Sequence, residues 1–212
     1  MRARFARDAD RARIETVSAA KAEDPNRPWV SVRPEIGSDL TYDAQGDARV
    51  VINFILQNVG KFPAANVQVD AEIVPIFGDP RPFQKAISDR NKLRPAGLGN
   101  LGVTIFPGPP QIMSINLPIP RTAIDAFHKK MADDYGADAA EKMGLTYIPT
   151  LVGVVDYKFT FAEGHHQTGF ILDLRRRSTK NPNIALNFNV ADGAVPQSQL
   201  WLMSGFISVP PD

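Results

Sequence analysis

The chain has 212 residues, with 24 Lys or Arg against 23 Asp or Glu and no cysteine. A net charge of +1 gives no long-range field to gather nucleic acid or anionic lipid over the whole surface, and the missing thiols exclude disulfides, zinc–thiolate sites and cysteine nucleophiles. The length suffices for one large or two small domains with a self-supporting core, and 18 prolines with 15 glycines predict short elements separated by many turns.

Residues 2–22 read as a helix rich in Ala, Arg and Glu, with a thin apolar stripe of Phe5, Ile14 and Val17. Its cluster of Arg2, Arg4, Arg7, Arg11 and Arg13 can touch phosphate or a membrane surface, although interleaved acids favour a solvated helix. Asp24-Pro25 and Arg27-Pro28 end it, because proline cannot donate and restricts the residue before it. Residues 1–26 are therefore taken as a charged N-terminal helix or stalk, and 27–212 as a β domain. The opening MRARFARDADRARIE lacks the apolar core of a signal peptide. The richest apolar run, LTYIPTLVGVV from Leu145, is broken by Pro149 and too short to span a bilayer. A soluble chain without an export signal is the expectation.

From Trp29 the apolar residues recur every second position. Val30, Val32 and Ile36 fall on one face of a first strand that Pro34 marks as an edge or bent strand. Ile52, Phe54 and Leu56 share a face, as do Val67, Val69, Ala71 and Ile73, with Asn66, Gln68, Asp70 and Glu72 opposite, expected in water. The intervening QNVGKFPAAN is expected to connect antiparallel strands, with Gly60 at positive φ and Pro63 halting the pairing. Further alternations are Met113, Ile115 and Leu117; Val155, Tyr157, Phe159 and Phe161; Phe170, Leu172 and Leu174; and Ile184, Leu186, Phe188 and Val190. The last strand faces inward with either Leu200, Leu202 and Phe206 or Trp201, Met203, Ile207 and Val209. Seven to nine such strands predict a mainly β, two-sheet antiparallel sandwich.

Two helical insertions interrupt that rhythm, near 79–95 and 122–143. The first is expected to be capped by Asp79 and to turn Phe83, Ile87 and Leu93 to one side. In the second, Thr122 and Asp125 suggest a capping box, Gly136 a stop, and Ile124, Phe127, Met131 and Tyr135 a buried face.

The candidate chemical residues are few. Glu163, His165 and His166 offer a carboxylate and two imidazoles that could ligate a transition metal, but neighbours on a strand point to opposite faces and Gly164 reads as a hairpin turn. His128 is read as a flanking polar residue of its helix, and the paired Asp133-Asp134 as solvated. GLGNLG from Gly97 resembles a dinucleotide fingerprint yet is followed by VTIFPGPP, which opens no helix. Arg175, Arg176 and Arg177 end a strand and can grip an anion, without local aromatics to make a nucleic-acid surface.

Three stretches, RPWVSV, LQNVGKFPAANVQV and VDYKFTFAEGHHQTGF, carry a resemblance. Arg27, Trp29 and Val30, then Asn58, Gly60, Lys61, Pro63 and Ala64, then Tyr157, Gly164, His166 and Thr168 fit the outline of a group of uncharacterised bacterial membrane-anchored proteins. In that group a single N-terminal membrane helix and a charged stalk precede an immunoglobulin-like extracytoplasmic β-sandwich. The resemblance covers residues 20–76 and 150–175 and departs from the group in having no membrane helix before the stalk. It implies an immunoglobulin-like sandwich and an extracytoplasmic position for a truncated relative, or the cytoplasm for a soluble version, and it supplies no catalytic residues. The functional expectation is a non-catalytic binding or structural module, without cofactor or nucleic acid, offering a sheet face, edge or loops to a protein partner or a second copy. The alternative is a metal-binding protein or metal-dependent enzyme centred on Glu163, His165 and His166.

Overall fold

The computed structural model describes residues 28–76, 78–94, 102–136, 138, 146–159, 165–179, 181 and 184–204. The helix expected over 2–22 lies outside them, as do Phe161, Glu163, Gly164 and Phe206. The chain runs through β1 (Val30–Ile36), β2 (Thr41–Tyr42), β3 (Ala48–Asn58), β4 (Ala64–Pro75), α1 (Arg81–Lys92), β5 (Val103–Ile105), β6 (Gln111–Ile119) and α2 (Arg121–Tyr135). There follow β7 (Thr146–Tyr147), β8 (Pro149–Phe159), β9 (His166–Arg177), β10 (Ala185–Leu186), β11 (Phe188–Asn189) and β12 (Leu200–Ser204). This is a mainly β fold with two principal sheets and two helical insertions. No helix among the described residues is long and apolar enough to cross a membrane.

In the first sheet β3 is central, with β1 and then β2 along one edge and β6 along the other, all antiparallel. The second sheet runs β12–β9–β8–β4–β5, and β10 continues the β8 side of β9. β7 and β11 form a separate ribbon. The inner faces meet in one core: Val50, Ile52, Phe54 and Leu56 of β3 are buried with Leu151, Val155 and Tyr157 of β8 and Phe170 and Leu174 of β9. Each such side chain contributes about 1.5–3 kcal/mol of transfer free energy before chain ordering is counted. Leu200 is buried and Leu202 packs on the same core, so of the two inward sets considered for the last strand the leucines hold the place. At the centre the Phe54 and Phe170 rings lie 5.4 Å apart. Gly153, directly opposite Phe170 in the ladder, makes the space: a Cβ there would sit 2.5 Å from Phe170 Cζ and 2.6 Å from the Asp70 carbonyl oxygen.

The segment joining β3 to β4 turns between sheets. β3 pairs with β1 and β6, whereas β4 pairs with β8 and β5, so the two oily runs are not ladder partners. The turn hangs on Asn58, buried at 2% exposure. Its Nδ2 donates to the Phe62 carbonyl at 2.8 Å and the Ile105 carbonyl at 2.9 Å, and its Oδ1 accepts from Gly60 N at 3.0 Å and Trp29 N at 3.4 Å. Gly60 does not have the positive φ that the sequence suggested; the side chain of Asn58 shapes the turn instead. Just beyond, Asn66 adopts φ 54° at a bulge where the β4–β8 register shifts between Ala65 and Gln68. Asparagine tolerates this left-handed conformation better than most residues. The extra residue lets Ala64 and Val67 both face the core despite their odd spacing.

The polar face of β4, expected in water, is partly covered: the side chain of Asp70 is 18% exposed and that of Glu72 45%. α1 lies across the outer face of the second sheet, burying Ile87 against Val152, Val154 and Ile171. β8 is thereby buried on both sides, which explains its unbroken run of buried residues from Pro149 to Tyr157. Asp70 accepts from Arg90 Nη2 at 3.0 Å, Asn91 Nδ2 at 2.9 Å and Arg94 Nη2 at 3.3 Å; Glu72 accepts from Arg90 at 2.9 Å. The acids that alternate with the core residues thus tie α1 to its sheet. Asn91 is fully buried, while Phe83 and Leu93, expected on the packed side, are 43% and 83% exposed.

α2 buries Ile124, Phe127 and Met131 in the main core, but Tyr135 is 55% exposed. The capping box does not form. Asp125 takes Arg121 Nε at 2.7 Å, and the free N–H of Arg121 is met by Asp47 from the β2–β3 turn, also at 2.7 Å. The N-cap is Pro120, two residues before the Thr122 that the pattern implied, so Thr122 is already inside the first turn. Gly136 closes it at φ 86°, as anticipated. The stretch expected as one strand from Ile184 to Val190 is instead two short pieces, β10 and β11, ending in a 3-10 turn.

Candidate functional site

The histidine motif resolves into two separate environments. His165 Nδ1 lies 2.7 Å from Oδ2 of Asp156, a carboxylate only 3% exposed on the outer face of β8. The other oxygen of Asp156 accepts from Gln167 Nε2 at 3.0 Å, and Gln167 in turn bonds the hydroxyl and the carbonyl of Ser88 on α1. These contacts are part-buried, and those of Ser88 and Gln167 join α1 to the sheet, in a setting that strengthens hydrogen bonds and punishes their loss. His166 goes the other way: its ring lies 5.8 Å from that of Tyr157 on the inner face. The structure therefore takes the two imidazoles to opposite sides of β8, and no three His, Asp or Glu side chains converge among the described residues. Asp156 was invisible as a site residue, although one signal existed. It is the lone acid in the otherwise apolar or small run PTLVGVVDY, and an acid in such a strand must find a partner.

The remaining candidates take structural partners. His128 bonds the Thr146 carbonyl through Nε2 at 3.1 Å and so ties α2 to β7. Asp133 and Asp134 pair with Lys129 and Lys130 one helical turn away, at 2.6 and 2.7 Å, on the exposed side of α2. Gly102, which ends the glycine-rich stretch, donates its N–H to Asn66 Oδ1 and leads into β5, with no helix following. Near the β7–β11 ribbon the Tyr42 and Tyr147 hydroxyls lie 2.9 Å apart, and burial pushes both phenols up from their ordinary range.

The arginine run is where the structure brings new residues together. Arg175 is held by Asp173 at 3.0 Å and Asn187 at 3.2 Å, and Arg176 by Asp192 at 2.9 Å. Arg177 has no carboxylate partner among the described residues; its guanidinium carbon stands 5.4 Å from the ring centre of Trp201 on β12. Such a stack contributes about 0.5–1 kcal/mol at an exposed site. The aromatic missing from the local sequence thus arrives from a distant strand. Arg177 and Trp201 line an open cleft of about 540 Å³ with Glu35, Gln197, Leu200 and Leu202. Trp201 Nε1 and Arg175 Nε are buried with no acceptor among the described residues.

The cleft runs between two strand edges. Ser178 N donates to the Ile184 carbonyl, so even-numbered residues of β9 turn their peptide groups toward β10 and odd-numbered ones toward β12. Through the pairing of Trp201 with Arg175, it follows that Leu200, Leu202 and Ser204 turn theirs to the free edge. On the opposite wall Gly37 N bonds the Val51 carbonyl, which makes Val30, Val32, Pro34 and Ile36 the outward set of β1. Pro34 has no N–H to offer, and two outward carbonyls are already taken: Val30 by the Thr168 hydroxyl at 2.7 Å, Ile36 by Gln197 Nε2 at 2.8 Å. Three of the outward groups of β1 are thus missing or taken, while on β12 the outward groups of Leu202 and Ser204 have no partner strand among the described residues.

No family model, no curated protein and no solved structure matches the chain.

Proposed function

We propose that the protein is a non-catalytic binding module on an immunoglobulin-like sandwich, which receives an extended, carboxylate-bearing polypeptide segment in the cleft between β1 and β12. The observation that carries this reading is the make-up of the cleft: a guanidinium stacked on Trp201 that has no carboxylate partner among the described residues, beside a strand edge that none of them pairs. An edge supplies main-chain hydrogen bonds, and the cation selects for an acid. The likeness of RPWVSV and LQNVGKFPAANVQV to the membrane-anchored group supports display at a cell envelope.

The test uses a Trp29→Phe background, which leaves Trp201 as the only tryptophan. Acidic and basic extended peptides of equal length are titrated while its fluorescence is followed. The acidic peptide is expected to bind, and Arg177→Ala to weaken it about tenfold, or about 1.4 kcal/mol. Equal or absent response to both peptides overturns the reading, as does turnover of a substrate that is lost on changing a cleft residue.

A second reading is favoured by the Asp156–His165 pair. A carboxylate on Nδ1 orients the imidazole and leaves Nε2 for a metal ion, the arrangement found behind metal-bound histidines. Stoichiometric metal in untagged protein, lost in His165→Ala, would favour this reading over the first.

A further inference from the structure

The two edges of the first sheet are treated in opposite ways. β1 carries Arg33 and Glu35, a proline without an outward N–H, and two outward carbonyls covered by the side chains of Thr168 on β9 and Gln197 in the turn before β12. Apart from Pro118, whose missing N–H also faces outward, β6 has none of this protection. Its nine residues QIMSINLPI include no charge, and among the described residues it pairs only with β3. Proteins ordinarily blunt an edge of that length with lysines, bulges or a covering element. Since odd-numbered residues of β3 turn to β1, even-numbered ones turn to β6, and the outward peptide groups of β6 are those of Ile112, Ser114, Asn116 and Pro118. Ile112 is 67% exposed, and Met113 and Ile115 remain half-buried at the rim of the core.

We infer that β6 is an interface between two copies of this chain, joined by antiparallel β6–β6 pairing about a two-fold axis at Ser114. This inference does not depend on the cleft. The register follows from the prolines. An axis at Ser114 sets Ser114 against its own copy and Ile112 against Asn116, so that all three outward N–H groups find carbonyls. Pro118 then falls opposite Pro110, where neither residue has an N–H to lose. An axis one pair to either side would set a proline against Ile112 or Asn116 and waste a bond. Met113 meets Ile115 of the other copy on the inner face, covering apolar surface that each copy leaves half-open. With no charge on the strand, two copies approach without like-charge repulsion. The first sheets of both copies become one continuous sheet.

The experiment is sedimentation velocity over a concentration series. Wild type is expected to pass from monomer to dimer with a dissociation constant on the order of 10 μM, as suits a small interface. Ser114→Pro removes an outward N–H, as Pro118 already does, together with the exposed hydroxyl bond to Asn53 Oδ1, so it should stay folded and monomeric, whereas Ser114→Ala, which loses that hydroxyl bond alone, should still dimerise. Ser114→Lys and Ser114→Asp each place like charges face to face and should each be monomeric, while their equimolar mixture dimerises. A wild-type chain that is monomeric throughout overturns the inference. So does a dimer that survives Ser114→Pro, or a Lys/Asp mixture that does not associate.

Discussion

Removing the amide of Asn58 should unfold the turn between the sheets more than any surface contact does. Its Nδ2 supplies the Ile105 carbonyl, on a residue that is itself fully buried, so in Asn58→Ala that oxygen loses its partner where water does not reach. Such an orphan costs about 1–3 kcal/mol. The Phe62 carbonyl and the Gly60 N–H sit in a half-exposed turn and can rehydrate, so each contributes about 0.5–1 kcal/mol. The total is about 3 kcal/mol, or about 6–12 °C in melting temperature for a chain of this size. Guanidinium titration followed by circular dichroism measures it, with Asn53→Ala on the solvent side of β3 as the control. Asn58→Asp is the sharper version. It keeps the shape but turns an acceptor toward the Phe62 and Ile105 carbonyls, unless the introduced carboxyl is protonated. Its folded-state pKa is therefore raised, and stability is greatest below the unfolded value of about 4 and falls as pH rises through it. An Asn58→Ala loss under about 1 kcal/mol, or an Asn58→Asp variant whose deficit shrinks as pH rises from 3 to 6, would refute this account of the turn.

Gly153→Ala should destabilise by about 3 kcal/mol in the same assay, because the new methyl meets the Phe170 ring and the Asp70 carbonyl at once; an unchanged midpoint would mean that the ring does not occupy that space. Tyr147→Phe tests the buried phenol pair. Burial raises the folded-state pKa, so the phenol's contribution is fully present below the unfolded value of 10.0 and is lost as pH rises beyond it. Between pH 10 and 11 wild type should lose about 1 kcal/mol more than the variant; equal losses would place Tyr147 in contact with solvent.

Much of this fold is written in local pattern. The period-two runs at 52–56, 67–73 and 170–174 do face the core, Pro34 does mark an edge, and Gly136 does stop a helix, because alternation, a missing N–H and a left-handed φ act within a few residues of where they are read. The arginine run was legible as an anion candidate, but its aromatic partner was not, since Trp201 reaches Arg177 only through the pairing of β12 with β9. The same holds for Asp156, whose role depends on a loop histidine and a helix glutamine-binding serine brought over it from other elements.

What the sequence determined by itself is which residues seek the interior and where the chain must turn. It did not determine which strands are neighbours, or which of two alternating faces meets water. Asp70 and Glu72 look solvated by pattern and are instead bound to Arg90, because α1 folds back over β4 and β8. Only the tertiary structure decides this, since periodicity records a side chain's direction and says nothing of what lies beyond it.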